Sequence, residues 1–99
     1  MIIKEVLAQL EETQKGPVVK LLEKSEQFKV LVLAFKKGME LKAHHTPIPA
    51  RLVIVEGKVT YFEADRSQVL SKYDDLSIPI NVQHSVTALE DSVCLLIQG

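Results

Sequence analysis

The sequence predicts an all-β domain, a sandwich or barrel of about eight to ten short strands preceded by one short helix. Two observations carry this expectation. After Pro17 the chain is a series of short runs rich in Val, Ile, Leu, Phe and Tyr, broken by turn residues about every eight to twelve positions. Only the opening segment repeats with a helical period.

In that opening segment Ile2, Ile3, Val6, Leu7 and Leu10 share one helix face, with Lys4, Glu5, Gln9, Glu11 and Glu12 opposite. Gly16-Pro17 supplies a stop, because Gly accepts a left-handed cap and Pro cannot continue a helix. A helix over about 2–12 follows, and the β unit runs from about 17 to 98. Its runs are 18–24, 28–35, 50–56, 58–64, 67–73, 76–80, 84–89 and 92–98. Breaks fall at Lys37-Gly38, Glu56-Gly57-Lys58, Ala64-Asp65-Arg66, Tyr73-Asp74-Asp75 and Glu90-Asp91. Glu56-Gly57 between two β-rich runs is a hairpin signal, since Gly supplies the positive φ of a tight turn. The run 18–24 fits a helix as well as a strand by periodicity alone.

Composition narrows the function classes. The 99 residues suit a single domain over 1–99, and a hydrophobic fraction of 46% argues against disorder. Twelve Lys and Arg face 13 Asp and Glu, and the basic residues are scattered rather than gathered into a patch. That balance argues against nucleic acid as a partner. No run approaches a membrane span and no signal-peptide layout opens the chain, so no membrane association and a cytoplasmic location are expected. The single cysteine, Cys94, excludes an internal disulfide and lies in an apolar run where an inert buried thiol is expected. No phosphate-binding glycine loop and no nucleophile elbow is present.

Chemistry then rests on three histidines, His44, His45 and His84. Adjacent strand residues point to opposite faces, so one of His44 and His45 is expected inside and the other in solvent. The spacing around them resembles the two motifs of the cupin family. Gly38, His44 and Gly57 stand in register with the first motif, while Thr46 occupies the place of its second histidine and Ala50 that of its glutamate. In the second motif Pro79 and His84 are retained; Tyr73 and Asn81 stand where glycines are usual, and Ala88 replaces the final asparagine. The resemblance covers residues 28–98, and it implies an RmlC-like jelly-roll barrel with its site inside the barrel.

For this chain the resemblance implies a pocket lined by His44, Thr46, Ala50 and His84, with Leu52, Ile54, Val59, Tyr61, Val86 and Leu96 filling the remaining interior. Metal-binding cupins use three histidines and a glutamate to hold iron, manganese, nickel or zinc, and only His44 and His84 match that set. His45 becomes a third ligand only if a bulge turns it inward, and Gln83, Glu40 and Glu63 are further donors of unknown direction. The expected function is therefore binding of a small molecule without full metal chemistry and without an assigned cofactor. The alternative is a metal-dependent dioxygenase or isomerase with a reduced ligand set. The resemblance, together with the apolar stretch Val18–Phe35 and the need to cover sheet edges, also leads us to expect a homodimer.

Overall fold

The computed structural model describes residues 1–99 and contains one helix followed by nine strands. Helix α1 spans Ile2–Glu12. The strands are β1 (Val18–Lys24), β2 (Lys29–Phe35), β3 (Glu40–His44), β4 (Ala50–Glu56), β5 (Lys58–Glu63), β6 (Arg66–Ser71), β7 (Asp75–Ile78), β8 (His84–Ala88) and β9 (Ser92–Gln98). They form a five-stranded sheet in the order β1-β2-β9-β4-β7 and a four-stranded sheet in the order β3-β8-β5-β6. All pairings are antiparallel. Two facing antiparallel sheets whose strands alternate between them make a jelly roll.

The period-two pattern of the sequence becomes the core. On β4, Ala50, Leu52 and Ile54 are buried; on β5, Val59 and Tyr61; on β8, His84, Val86 and Ala88. With Leu33, Phe35, Leu70, Leu76, Ile78, Cys94 and Leu96 the apolar members close one continuous core between the sheets. All six expected interior fillers, from Leu52 to Leu96, belong to it. Burial pushes the Cys94 thiol up to about 12, so it stays protonated and inert.

The helix lies outside this core. Val6 and Leu10 pack on Val18, Val32, Ala34 and Val93 from the outer face of the larger sheet. Of the five residues expected to share the packing face, Ile3 and Leu7 remain 37% and 40% exposed. The helix stops earlier than Gly16. Thr13 is already extended at φ −97°, and its hydroxyl donates to the Gln9 carbonyl in place of a left-handed glycine cap. Gly16 is absent from the positions of positive φ.

Two further differences bear on the site. The run 18–24 is a strand, held as an edge by pairing with β2. Strand β3 is absent from the apolar runs of the sequence, because Glu40 and Lys42 sit on a sheet edge and leave no alternating pattern. Tyr73 and Asn81 stand at motif positions usually held by glycine, and they adopt the conformation that glycine favours, at φ 74° and 60°.

Candidate functional site

The strand ends divide into two groups. Gly57, Lys58 and Ser92 lie at one end of the barrel; His44, Ala50, Glu63 and His84 lie at the other. At this second end the register brings four side chains into one row. Arg66 pairs with Glu63 across β6 and β5, Glu63 with His84 across β5 and β8, and His84 with His44 across β8 and β3. Residues directly opposite in antiparallel strands share a face. The row therefore faces inward along with Tyr61 and Val86.

A bulge puts His44 there. Leu41 pairs with Val86, yet His44 rather than Ala43 pairs with His84, so β3 carries one extra residue. Simple alternation from Leu41 would send Ala43 and His45 inward and His44 outward. The inserted residue reverses that parity. His45, for which a bulge was the condition of facing inward, is exposed instead, and its Nδ1 lies 3.4 Å from the Gln83 amide nitrogen.

The two imidazoles stand with ring centroids 4.2 Å apart and planes tilted by 59°. Nδ1 of His44 lies 2.9 Å from the Lys42 carbonyl, and Nδ1 of His84 lies 2.9 Å from the Val82 carbonyl. A carbonyl only accepts, so in both rings Nδ1 carries a proton, and in the neutral form of either ring Nε2 is the acceptor. Neither Nε2 has a protein partner. Burial, opposed by the Val82 carbonyl, holds His84 below the usual imidazole range, with the neighbouring His44 adding to the lowering. His84 is thus neutral at pH 7.

The rest of the row is internally satisfied. Tyr61 donates its hydroxyl proton to Glu63 Oε2 at 2.6 Å, and its ring stacks near His84 at 6.0 Å. Arg66 donates to both carboxylate oxygens of Glu63 at 3.0 Å each. These bonds from Arg66 and Tyr61 hold the Glu63 carboxyl below the usual carboxylate range. Burial and the Glu63 carboxylate push the Tyr61 phenol up. Glu63 is consequently a charged, fully engaged group rather than a free base.

Of the four pocket residues named from the sequence, His44 and His84 come together. Ala50 lies in the core opposite Ile78 and Gln98, on the other sheet. Thr46 sits in the loop after β3, where its hydroxyl accepts the Ile48 amide proton. No surface depression is lined by His44 and His84 together. His84 borders a small depression of 220 Å³ with Phe62, Glu63 and Gln83, and His44 borders a separate, open one between β1 and β3. Arg66 is the member that sequence reasoning missed. Its signal was the strand register across the Ala64-Asp65 turn, which sets it opposite Glu63.

Solved structures of known proteins share this arrangement of strands. A RmlC-like cupin protein from Desulfovibrio desulfuricans superposes with a TM-score of 0.78 at 28% identity, over 85% of this chain and 82% of that one. This chain has the fold of a small cupin domain. A cupin-like protein from Thermotoga maritima gives 0.77 at 27% identity, over 86% of this chain and 69% of its own. The DMSP lyase DddQ from Ruegeria pomeroyi gives 0.77 at 14% identity, over 84% of this chain and 46% of the lyase, a likeness of fold alone. No protein-family model and no curated protein matches the sequence.

The donor set does not fit the resident metal of metal-binding cupins. No three His, Cys, Asp or Glu side chains converge in a geometry that could hold an ion. The glutamate position is Ala50, the Thr46 hydroxyl is committed to its own turn, and Glu63 is neutralised by Arg66. What the site offers instead is a pair of imidazoles whose Nε2 atoms have no protein partner.

Proposed function

We propose that this cupin binds a small molecule at the histidine end of its barrel, through hydrogen bonds that the ligand donates and the protein accepts. The carrying observation is the pair of unpartnered Nε2 atoms, each left as the acceptor of its neutral ring by the carbonyl that takes the Nδ1 proton. Hydroxyl or ammonium groups of a ligand satisfy two such lone pairs. A carboxylate or phosphate receives no proton from the unpartnered Nε2 of a neutral ring, and Arg66, the one cation of the row, is separated from the histidines by Glu63 and spends two of its N–H groups on it. The recognised class is therefore a polyol or an amine, held without a transferred proton or electron.

Elemental analysis of untagged protein purified without chelator, paired with imidazole nitrogen NMR, tests this reading. Metal well below one per chain is expected, with Nε2 resonances that move on adding diols or amines and stay still with matched carboxylates. Near-stoichiometric metal that disappears in His84→Ala overturns it in favour of a metal-dependent cupin enzyme.

A further inference from the structure

Four lysines that lie apart in the sequence meet around one hollow. Lys15 follows α1, Lys36 and Lys37 lie on the turn between β2 and β3, and Lys42 stands on β3. Together they line a depression of 560 Å³ whose one carboxylate is Glu40. None of these five residues takes part in an ion pair within the chain; the paired lysines, Lys20, Lys58 and Lys72, lie elsewhere. Sequence order spreads these charges, and the fold gathers them on a chain whose formal net charge is −1. A local excess of one sign draws oppositely charged solutes to it.

The turn that carries Lys36 and Lys37 is held at several points. The Met39 amide donates across it to the Lys36 carbonyl at 3.0 Å, with Gly38 as its third residue at φ +88°. The Gly38 amide donates to the Ala88 carbonyl at 2.8 Å and the Ala88 amide to the Met39 carbonyl at 2.9 Å. The Lys37 amide donates to Asp91 Oδ1 at 2.8 Å. Lys36 Nζ is fixed as well, donating to the Glu11 and Thr13 carbonyls at 3.2 and 2.9 Å and keeping one of its three N–H groups. A side-chain carbon on Gly38 would meet nothing within 4 Å, so the space over the turn is open. Donors mounted on a fixed turn lose little further freedom when a ligand arrives.

We infer that this hollow binds a linear oligophosphate, held by the ammonium groups of Lys15, Lys37 and Lys42 and the remaining N–H of Lys36. Lysine binds phosphate as a point charge, and several separate ammonium groups call for several anionic groups in one molecule. No Phe, Tyr or Trp lines the hollow, so it lacks the platform on which the bases of a nucleic-acid strand stack. The phosphate chain is therefore what is recognised, whether free or part of a nucleotide. This site is separate from the histidine row, whose neutral Nε2 atoms offer such a ligand no proton.

Titration calorimetry on the full chain at low salt without divalent metal, paired with amide NMR, tests the inference. Tripolyphosphate is expected to bind one per chain, at least tenfold tighter than orthophosphate and about as tightly as adenosine triphosphate. Affinity should fall several-fold as added salt screens the lysines, and amide shifts should centre on residues 36–42. The double variant K37E/K42E should lose at least tenfold in affinity. K4E/K24E makes the same change in net charge at exposed lysines outside the hollow and should bind as wild type does. All four positions are exposed, so the folded spectrum should not change in either variant. Glu40→Gln should tighten binding. Equal losses in the two double variants overturn the inference, because they leave only a general charge effect. So do an affinity for tripolyphosphate no better than for orthophosphate, a tenfold preference for the nucleotide or for a single-stranded oligonucleotide, and shifts centred on His84.

Discussion

The two ends of the barrel are built from the same strands but handle close approach in opposite ways. At the Gly57 end the backbones touch. A side-chain carbon on Gly57 would fall 2.3 Å from the Asp91 carbonyl and from Ser92 Oγ. Ser92 is buried there, accepts the Lys58 amide proton at 3.0 Å and donates to the Glu90 carbonyl at 2.7 Å. Asp91 takes the Lys37 amide proton, so three turns are tied together. At the histidine end the contacts run between side chains, and two acceptor atoms remain without partners. One end is committed to holding the sheets; the other keeps unsatisfied hydrogen-bonding capacity, which is what recognition needs.

Three measurements can break that contrast. The largest effect is expected for Gly57→Ala, which adds an impossible contact to a φ of +89°. Strain and overpacking together should destabilise by about 2–5 kcal/mol, read as a lower denaturant midpoint. A midpoint within experimental error of wild type would mean that the tied end is not tied. Tyr73→Gly should act in the other direction. Tyr73 holds φ 74° and is 77% exposed, so relieving the left-handed strain should add about 1 kcal/mol.

The smallest effect at neutral pH belongs to the histidine end. His84 has a folded pKa below its unfolded one, so its contribution is fully present above the ordinary imidazole value of about 6.5 and lost as pH falls through the lower folded value. Wild-type stability should therefore decline from neutral pH toward mild acid, with less decline in His84→Gln. Equal declines in the two proteins would remove the burial of this ring as a source of pH dependence. The Glu63 contribution has the same sign but fades only in stronger acid, since its carboxyl is held below the usual range.

Much of the fold was legible in the sequence because burial imposes a period of two. The strand from Ala50 to Glu56 alternates cleanly, and Gly57 marks its hairpin. The motif spacing placed His44 and His84 together before any coordinates did. What escaped was whatever depends on pairing between distant segments. Strand β3 has no apolar signature because it lies on an edge, and its extra residue decides which histidine faces inward. Arg66 and Glu63 look like ordinary surface charges until register aligns them with His84. Thr46 and Ala50 followed the family spacing but not its chemistry, since one caps a turn and the other fills the core.

The row of Arg66, Glu63, His84 and His44 takes one residue from each strand of the smaller sheet. Apart from Glu63 and Arg66, which are near neighbours in sequence, its members come together only when the sheet has formed, so any molecule that needs the assembled row distinguishes native from denatured protein. Melting temperature then becomes an assay that requires no knowledge of a reaction. A compound at a hundred times its dissociation constant raises native stability by about 2.7 kcal/mol, enough to pick a cognate compound out of a collection by heat alone.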